Sequence, residues 1–238
     1  MPPRPLVIAH RGVHTTGATE NTLQAFEAAV ELGADMIELD VRRTGAGELA
    51  VMHDHRLGEV TLDSCSLDEF EQRTGFRPPL FTDVLAWAES RIGLDVELKE
   101  DGYAEQVAPL LSEFAAADNE LIVTSFLDPL LAQLAAVAPR LRLGLLIMWT
   151  AEGAGQRAGA AGAHTVLPEM KLVDEPLIEA VTSAGLELIV WDFMAADHAA
   201  LLRDERVAGV ITDDVHGAMA ARAASAGFPL AHPIPSDT

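Results

Sequence analysis

The chain reads as an α/β protein, a (β/α)8 TIM barrel with a small insertion after the second strand, on three observations. Short apolar runs alternate with amphipathic or Ala-rich stretches along all 238 residues. Eight such runs can be marked out. Several of them end in a carboxylate or an imidazole, which is how a buried parallel strand carries a chemical group to the rim of a barrel. An open doubly wound sheet more often begins with a Gly-rich turn, and HRGVHTTG is not GxGxxG.

Strands are expected over residues 6–9, 36–41, 92–98, 121–125, 143–147, 165–167, 186–191 and 210–212. Helices are expected between them, over 22–32, 82–89, 103–117, 129–138, 152–162, 175–184 and 196–205, with a last one over 217–226. The first strand, LVIAH, is an aliphatic run closed by His10, and the Glu20-Asn21-Thr22 that follows can cap the next helix through Asn21 or Thr22. The second, MIELDV, alternates acid and aliphatic, so Glu38 and Asp40 share one face. After it the alternation breaks. VRRTGAGELAVMHD reads as a hairpin turning near Ala46, between Gly45 and Gly47, which sets the strand around Asp40 beside the strand around His53. Residues from about 54 to 80 then form the insertion over the barrel mouth, held by a short helix over 67–73, where they shape substrate access. The third barrel strand, GLDVELK, brings Glu97 and Lys99. No repeat or linker interrupts the pattern, so 1–238 reads as one domain, with a loose Pro-rich tail, AHPIPSDT.

Composition narrows the function. Hydrophobic residues make up 49% of the chain and aromatics only 5%, which gives one large aliphatic core. No apolar run approaches the roughly 18 residues of a membrane span, and the N-terminal run is too short for a signal peptide. The expectation is a cytoplasmic protein with no stable membrane association. The net charge of −21, without a basic patch, argues against nucleic acid. The lone Cys65 has no partner for an internal disulfide and reads as an inert thiol. Oligomeric state leaves no mark on the sequence.

The candidate chemistry gathers at strand ends. Two carboxylates on one inward face repel unless a cation or proton lies between them. Glu38, Asp40 and Glu97 together suit a hard divalent ion, Mg²⁺ or Ca²⁺, and salt bridges to Arg11, Arg42 or Lys99 are the plainer alternative. His10 and His53 can move protons near neutral pH, and Arg11 offers a fork of donors to phosphate. Together these residues suggest metal-assisted attack on a phosphate or carbonyl centre. Glu20 and Asn21 line the same mouth and can orient the site or a metal-bound water, and Asp54 stands beside His53. Trp149 and Trp191 sit at strand ends, where core packing is the plain expectation, although Trp191 can also wall a substrate. Asp213 and Asp214 read as caps of the last helix.

In this order, HRG, TENT, GADMIELDVRRT, AVMHD and VELK resemble the glycerophosphodiester phosphodiesterase family. The likeness continues through VTSF, Pro168, Trp191 and GVITDD, and so covers nearly the whole chain. It implies a barrel with an insertion near the second strand, and a role in lipid metabolism. The implied reaction is hydrolysis of glycerophosphodiesters to sn-glycerol 3-phosphate and an alcohol, with one divalent cation, Mg²⁺ or Ca²⁺. Carried over by position, His10 and His53 match the catalytic pair, and Glu38, Asp40 and Glu97 match the metal ligands. Arg11 and Lys99 match the phosphate contacts. Departures fall at Thr19, at Ala46-Gly47, along HRLGEVTLDSC and at WDFM. The last two lie where the alcohol or glycerol would be read. Two rivals remain. One is a phospholipase D-like hydrolase acting on lysophospholipids, for which VTLDSCSLDEF offers few apolar residues. The other is a non-catalytic barrel that binds a phosphorylated ligand, which predicts loss of at least one of the five core residues, and all five are present.

Overall fold

The computed structural model describes residues 5–14 and 17–225, so the Pro-rich tail lies outside the described residues. The strands in chain order are β1 (Leu6–His10), β2 (Met36–Arg43), β3 (Leu49–Val51), β4 (Arg56–Leu57), β5 (Val60–Thr61), β6 (Gly93–Leu98), β7 (Leu121–Ser125), β8 (Leu143–Ile147), β9 (Thr165–Pro168), β10 (Glu187–Val190) and β11 (Val207–Thr212). The helices are α1 (Leu23–Glu31), α2 (Leu67–Thr74), α3 (Phe81–Ala88), α4 (Ala104–Ala116), α5 (Asp128–Val137), α6 (Ala154–Ala160), α7 (Glu175–Ser183), α8 (Ala195–His198) and α9 (Val215–Ser225).

Eight of the strands run parallel in the order β1-β11-β10-β9-β8-β7-β6-β2, and β1 pairs with β2 to close the ring. The closure register is Ile8↔Met36 and Leu6↔Gly209. This is the expected (β/α)8 barrel. Its strands are apolar on both faces, as burial on both sides requires. Ile8, Met36, Ile122, Leu146, Leu167, Ile189 and Ile211 fill the interior as one cluster. The alternate residues, Val7, Ile37, Leu39, Val96 and Val123 among them, pack outward under the helices in the larger cluster. Period-2 alternation therefore carries the inward series upward, from Ile8 to His10, from Met36 to Glu38 and Asp40, and from Ile122 to Thr124.

The break after the second strand is the expected hairpin. β3 pairs antiparallel with β2, Val41 opposite Val51, and Met52 N donates to Asp40 O at 2.9 Å. Beyond it, the β4–β5 ribbon and α2 enclose a small apolar cluster of their own, with Val60, Leu62, Cys65, Leu67 and Phe70 buried in it. α2 opens on a reciprocal capping box, Ser66 with Glu69, and stops at Gly75 in the left-handed region.

Three local readings differ. β8 ends at Ile147, so Trp149 lies two residues past it and is 83% exposed instead of packing in the core. α6 is shorter than expected because Gly153 and Gly162 adopt φ of 66° and 72° at its two ends. The helix expected over 196–205 is split into α8 and a 3-10 turn, Ala199–Arg203, where His198 leaves helical geometry at φ −128°. Among the described residues no helix is long and apolar enough to cross a membrane.

Candidate active site

The loop after β1 builds the first side of the site. Arg11 follows His10 at φ 54° and Gly12 at φ 81°. A Cβ on Gly12 would come 2.7 Å from the carbonyl carbon of Ala25, so the tight seating of α1 requires glycine there. The turn aims the Arg11 amide at Glu38 Oε2, 3.0 Å away. The guanidinium reaches Glu20 at 3.1 and 3.2 Å through Nη1, and Asp40 Oδ2 at 3.2 Å through Nε. Asn21, also left-handed at φ 56°, clamps Asp40 from both ends of its amide. Its Nδ2 donates to Asp40 Oδ2 at 2.7 Å, and Asp40 N donates to its Oδ1 at 3.2 Å. Thr22 caps α1, accepting from Ala25 N.

Glu38, Asp40 and Glu97 converge as the inward groups of β2 and β6, with one oxygen of each within 4.8 Å of the others. All three are buried. The Lys99 ammonium lies against two of them, 2.8 Å from Asp40 Oδ1 and 2.6 Å from Glu97 Oε2. Burial, reinforced by Asp40, Glu97 and Asp95, holds the Glu38 carboxyl well above the ordinary range. Burial also raises Glu97, against the pull of Lys99. For Asp40 burial is outweighed by Lys99 and Arg11, and its pKa falls. Three buried oxygen donors, two of them disfavoured as bare anions, are a set that a hard divalent cation would relieve, so the residues fit such an ion.

The imidazoles stand beside this cluster. His10 Nδ1 lies 2.8 Å from Asp213 Oδ1, and a carboxylate can only accept, so Nδ1 donates. Nε2 is thereby turned inward, 4.0 Å from Glu38 Oε2. His14 Nε2 approaches the same Asp213 oxygen at 3.4 Å. The hydrogen bond from His10 lowers the Asp213 pKa. His53 Nδ1 donates to Asp54 Oδ1 at 2.9 Å, and Arg42 Nε holds the His53 carbonyl at 2.6 Å. Burial, with Lys99 and Arg11, lowers the His53 pKa against the opposing pull of Asp40. On the far wall, Phe126 and Trp191 meet edge to face at 5.7 Å, and Trp191 Nε1 donates to Leu167 O at 2.8 Å.

Two functional positions escaped the sequence reading. Asp213 does not cap α9. Asp214 does, accepting from Gly217 N at 2.8 Å, and Asp213 turns inward to His10 instead. The available signal was alternation along GVITD, which sets Ile211 and Asp213 on the same face. Asp95 lies two residues before Glu97, fully buried, taking a hydrogen bond from Thr124 at 2.8 Å while its Oδ2 has no hydrogen-bond partner. Its pKa is pushed up to about 7, chiefly by burial.

Residues 10–216 match the family model described as the glycerophosphoryl diester phosphodiesterase family. A glycerophosphodiester phosphodiesterase from Caldanaerobacter subterraneus subsp. tengcongensis is 30% identical over 230 residues, covering 88% of this chain and 94% of that one. The crystal structure of a glycerophosphodiester phosphodiesterase from Agrobacterium tumefaciens aligns with a TM-score of 0.75 at 26% identity, over 91% of this chain and 99% of its own. An Oleispira antarctica phosphodiesterase, solved in complex with the product sn-glycerol-3-phosphate, has the same fold, with a TM-score of 0.79 at 21% identity and coverage of 92% and 96%. The residues of the barrel mouth thus belong to a known lineage: the chain is a member of the glycerophosphoryl diester phosphodiesterase family, and with it a phosphoric diester hydrolase.

Proposed function

We propose that this chain hydrolyses glycerophosphodiesters to sn-glycerol 3-phosphate and an alcohol, with a divalent cation, Mg²⁺ or Ca²⁺, held by Glu38, Asp40 and Glu97. The observation that carries the reading is the convergence of those three buried carboxylates beside the inward Nε2 of His10. When bound, the ion would polarise the phosphoryl oxygens and offset their charge. Arg11 and Lys99 would face the phosphate, each exchanging part of its present carboxylate contacts for the substrate's oxygens. Trp191 would wall the bound diester.

His53, kept uncharged at neutral pH by its lowered pKa, suits the base that takes the proton of the attacking hydroxyl. A water oxygen forms the new P–O bond and the bond to the alcohol oxygen breaks; where the substrate's own glycerol hydroxyl attacks first, the water instead opens the cyclic phosphate that results. His10 suits the acid that protonates the departing alkoxide, since Asp213 holds its Nδ1 and leaves Nε2 facing the site. Glu20 and Asn21 fix Arg11 and Asp40, and Asp54 orients His53. The cytoplasm is the proposed location.

The test is release of glycerol 3-phosphate from glycerophosphocholine, glycerophosphoethanolamine and glycerophosphoglycerol by metal-stripped protein, with Mg²⁺, Ca²⁺ or Mn²⁺ restored. Activity that returns with metal and is lost in His10→Ala and Glu38→Gln supports the reading. Hydrolysis undiminished by chelation, or retained in both variants, overturns it.

A further inference from the structure

Across the mouth from the carboxylate triad stands one more inward acid. Leu167 is packed in the barrel interior, so Glu169, two residues on, points toward the same axis. It follows the end of β9 and bridges in parallel to Trp191. In the closed order β9 lies three strands from β6 and four from β2. Glu169 Oε2 is buried and meets Lys171 Nζ at 2.6 Å, but not with the angles of a hydrogen bond. The same ammonium stands over the Trp149 ring, 5.1 Å from its centroid. A carboxylate on one side and an aromatic face on the other make a cradle for a cation, and an internal ammonium now occupies it. Lys171 sits in a short 3-10 turn, Met170–Leu172, with about half its side chain in water, so its stem can swing aside. The exposure of Trp149, unexplained by core packing, is explained if its ring face serves a ligand.

We propose that Glu169 and Trp149 form the subsite for a cationic leaving alcohol, an alkylammonium of the ethanolamine or choline class, and that Lys171 is a resident stand-in which the substrate's own cation displaces. The proposal rests on the phosphodiesterase reading above. A zwitterionic diester is then matched end to end. Its phosphate faces Arg11, Lys99 and the triad, and its ammonium faces an acid and an indole on the opposite wall. Phe126 and Trp191 supply the apolar surface between the two ends. An uncharged alcohol would gain nothing from Glu169 and would leave the Lys171 pair in place.

The experiment compares kcat/KM on glycerophosphocholine, glycerophosphoethanolamine and the uncharged-alcohol diester glycerophosphoglycerol, for the wild type, Glu169→Gln and Lys171→Met. Glu169→Gln is expected to lower kcat/KM about ten-fold on the two cationic diesters and to leave glycerophosphoglycerol within about two-fold. Lys171→Met is expected to lower KM for the cationic diesters alone. Equal losses on all three diesters, or no loss on any, would overturn the subsite. If the wild type cleaves none of them, the phosphodiesterase reading falls, and a choline titration followed by tryptophan fluorescence still decides the cradle. Saturable quenching in the wild type that disappears in Trp149→Phe and weakens in Glu169→Gln upholds it. Absence of quenching overturns it.

Discussion

Above the interior layer of Ile8 and Met36, the β1–β2–β6 side of the mouth carries His10, Glu38, Asp40, Asp95 and Glu97. Above Ile122, Leu167 and Ile189, the β7–β10 side carries Thr124, Phe126, Glu169 and Trp191. The two sides share one backbone plan and one inward register. They differ in what burial does to them. On the first side it displaces the ionisation of Glu38, Asp95 and Glu97 upward, so that side holds unrelieved electrostatic work. On the second side burial gathers rings and aliphatic groups, and the inward acid there, Glu169, is already paired with Lys171. On the proposed function, chemistry and recognition would then fall to facing walls, and each wall should be alterable without disturbing the other.

The sharpest way to break this division is to alter the charged wall. His10→Ala and Glu38→Gln should each lower kcat/KM by at least ~10³-fold in the presence of Mg²⁺, with melting temperatures close to the wild type. A comparable loss in Trp191→Phe would show that the walls are not separate.

The next effect is on stability. Asp95 has a folded pKa of about 7 against an ordinary 3.8. The folded chain therefore binds this proton more tightly than the unfolded one. The contribution is fully present below pH 3.8 and is lost as pH rises to about 7. In chelator, Asp95→Asn should be the more stable protein at pH 8, by up to about 4 kcal/mol, and the gap should close at low pH. Ile189→Val, on the other wall, should cost about 1 kcal/mol at every pH. Denaturant melts at pH 4, 6 and 8 would decide, and a pH-independent Asp95→Asn would remove the claim of stored repulsion.

Asp213→Asn should lower kcat by about 10²-fold with little change in KM, because it frees the His10 ring without touching substrate groups. A shift of the acidic or basic limb of the pH–rate profile would mark its hold on His10, whereas a merely structural residue would change only the amount of active protein. The smallest effect belongs to the aromatic wall. Trp191→Phe should raise KM about three-fold and leave kcat near the wild type.

What the sequence disclosed follows a physical rule. The eight barrel strands, the hairpin at Gly45–Gly47 and the convergence of Glu38, Asp40 and Glu97 were legible because period-2 alternation and turn chemistry act over a few residues. Thr22 as the cap of α1 was legible for the same reason. Asp213 was not, because its meaning depends on β11 lying beside β1, a contact across 203 residues. Asp95 was hidden for another reason. An acid beside Glu97 on the same face looks like one more carboxylate of an alternating strand, and only the packed interior shows that its Oδ2 has no hydrogen-bond partner. Trp149 was read as core because an indole beside a strand end is packed by default; the strand ends at Ile147 as expected, and only the folded chain shows the ring standing in solvent two residues beyond it. The division of 196–205 into two short helical pieces turns on the backbone of a single residue, His198, which periodicity does not register.

The pairing of β1 with β11 has a temporal consequence during synthesis. On the ribosome, His10 is made some two hundred residues before Asp213, and must wait for it before that imidazole is oriented and the ring of strands is closed. The distant contact adds little closure entropy, since that cost grows only logarithmically with loop length, but it cannot form early. Nascent chains shorter than this span should therefore be catalytically silent, and competence should arrive as the last strand emerges.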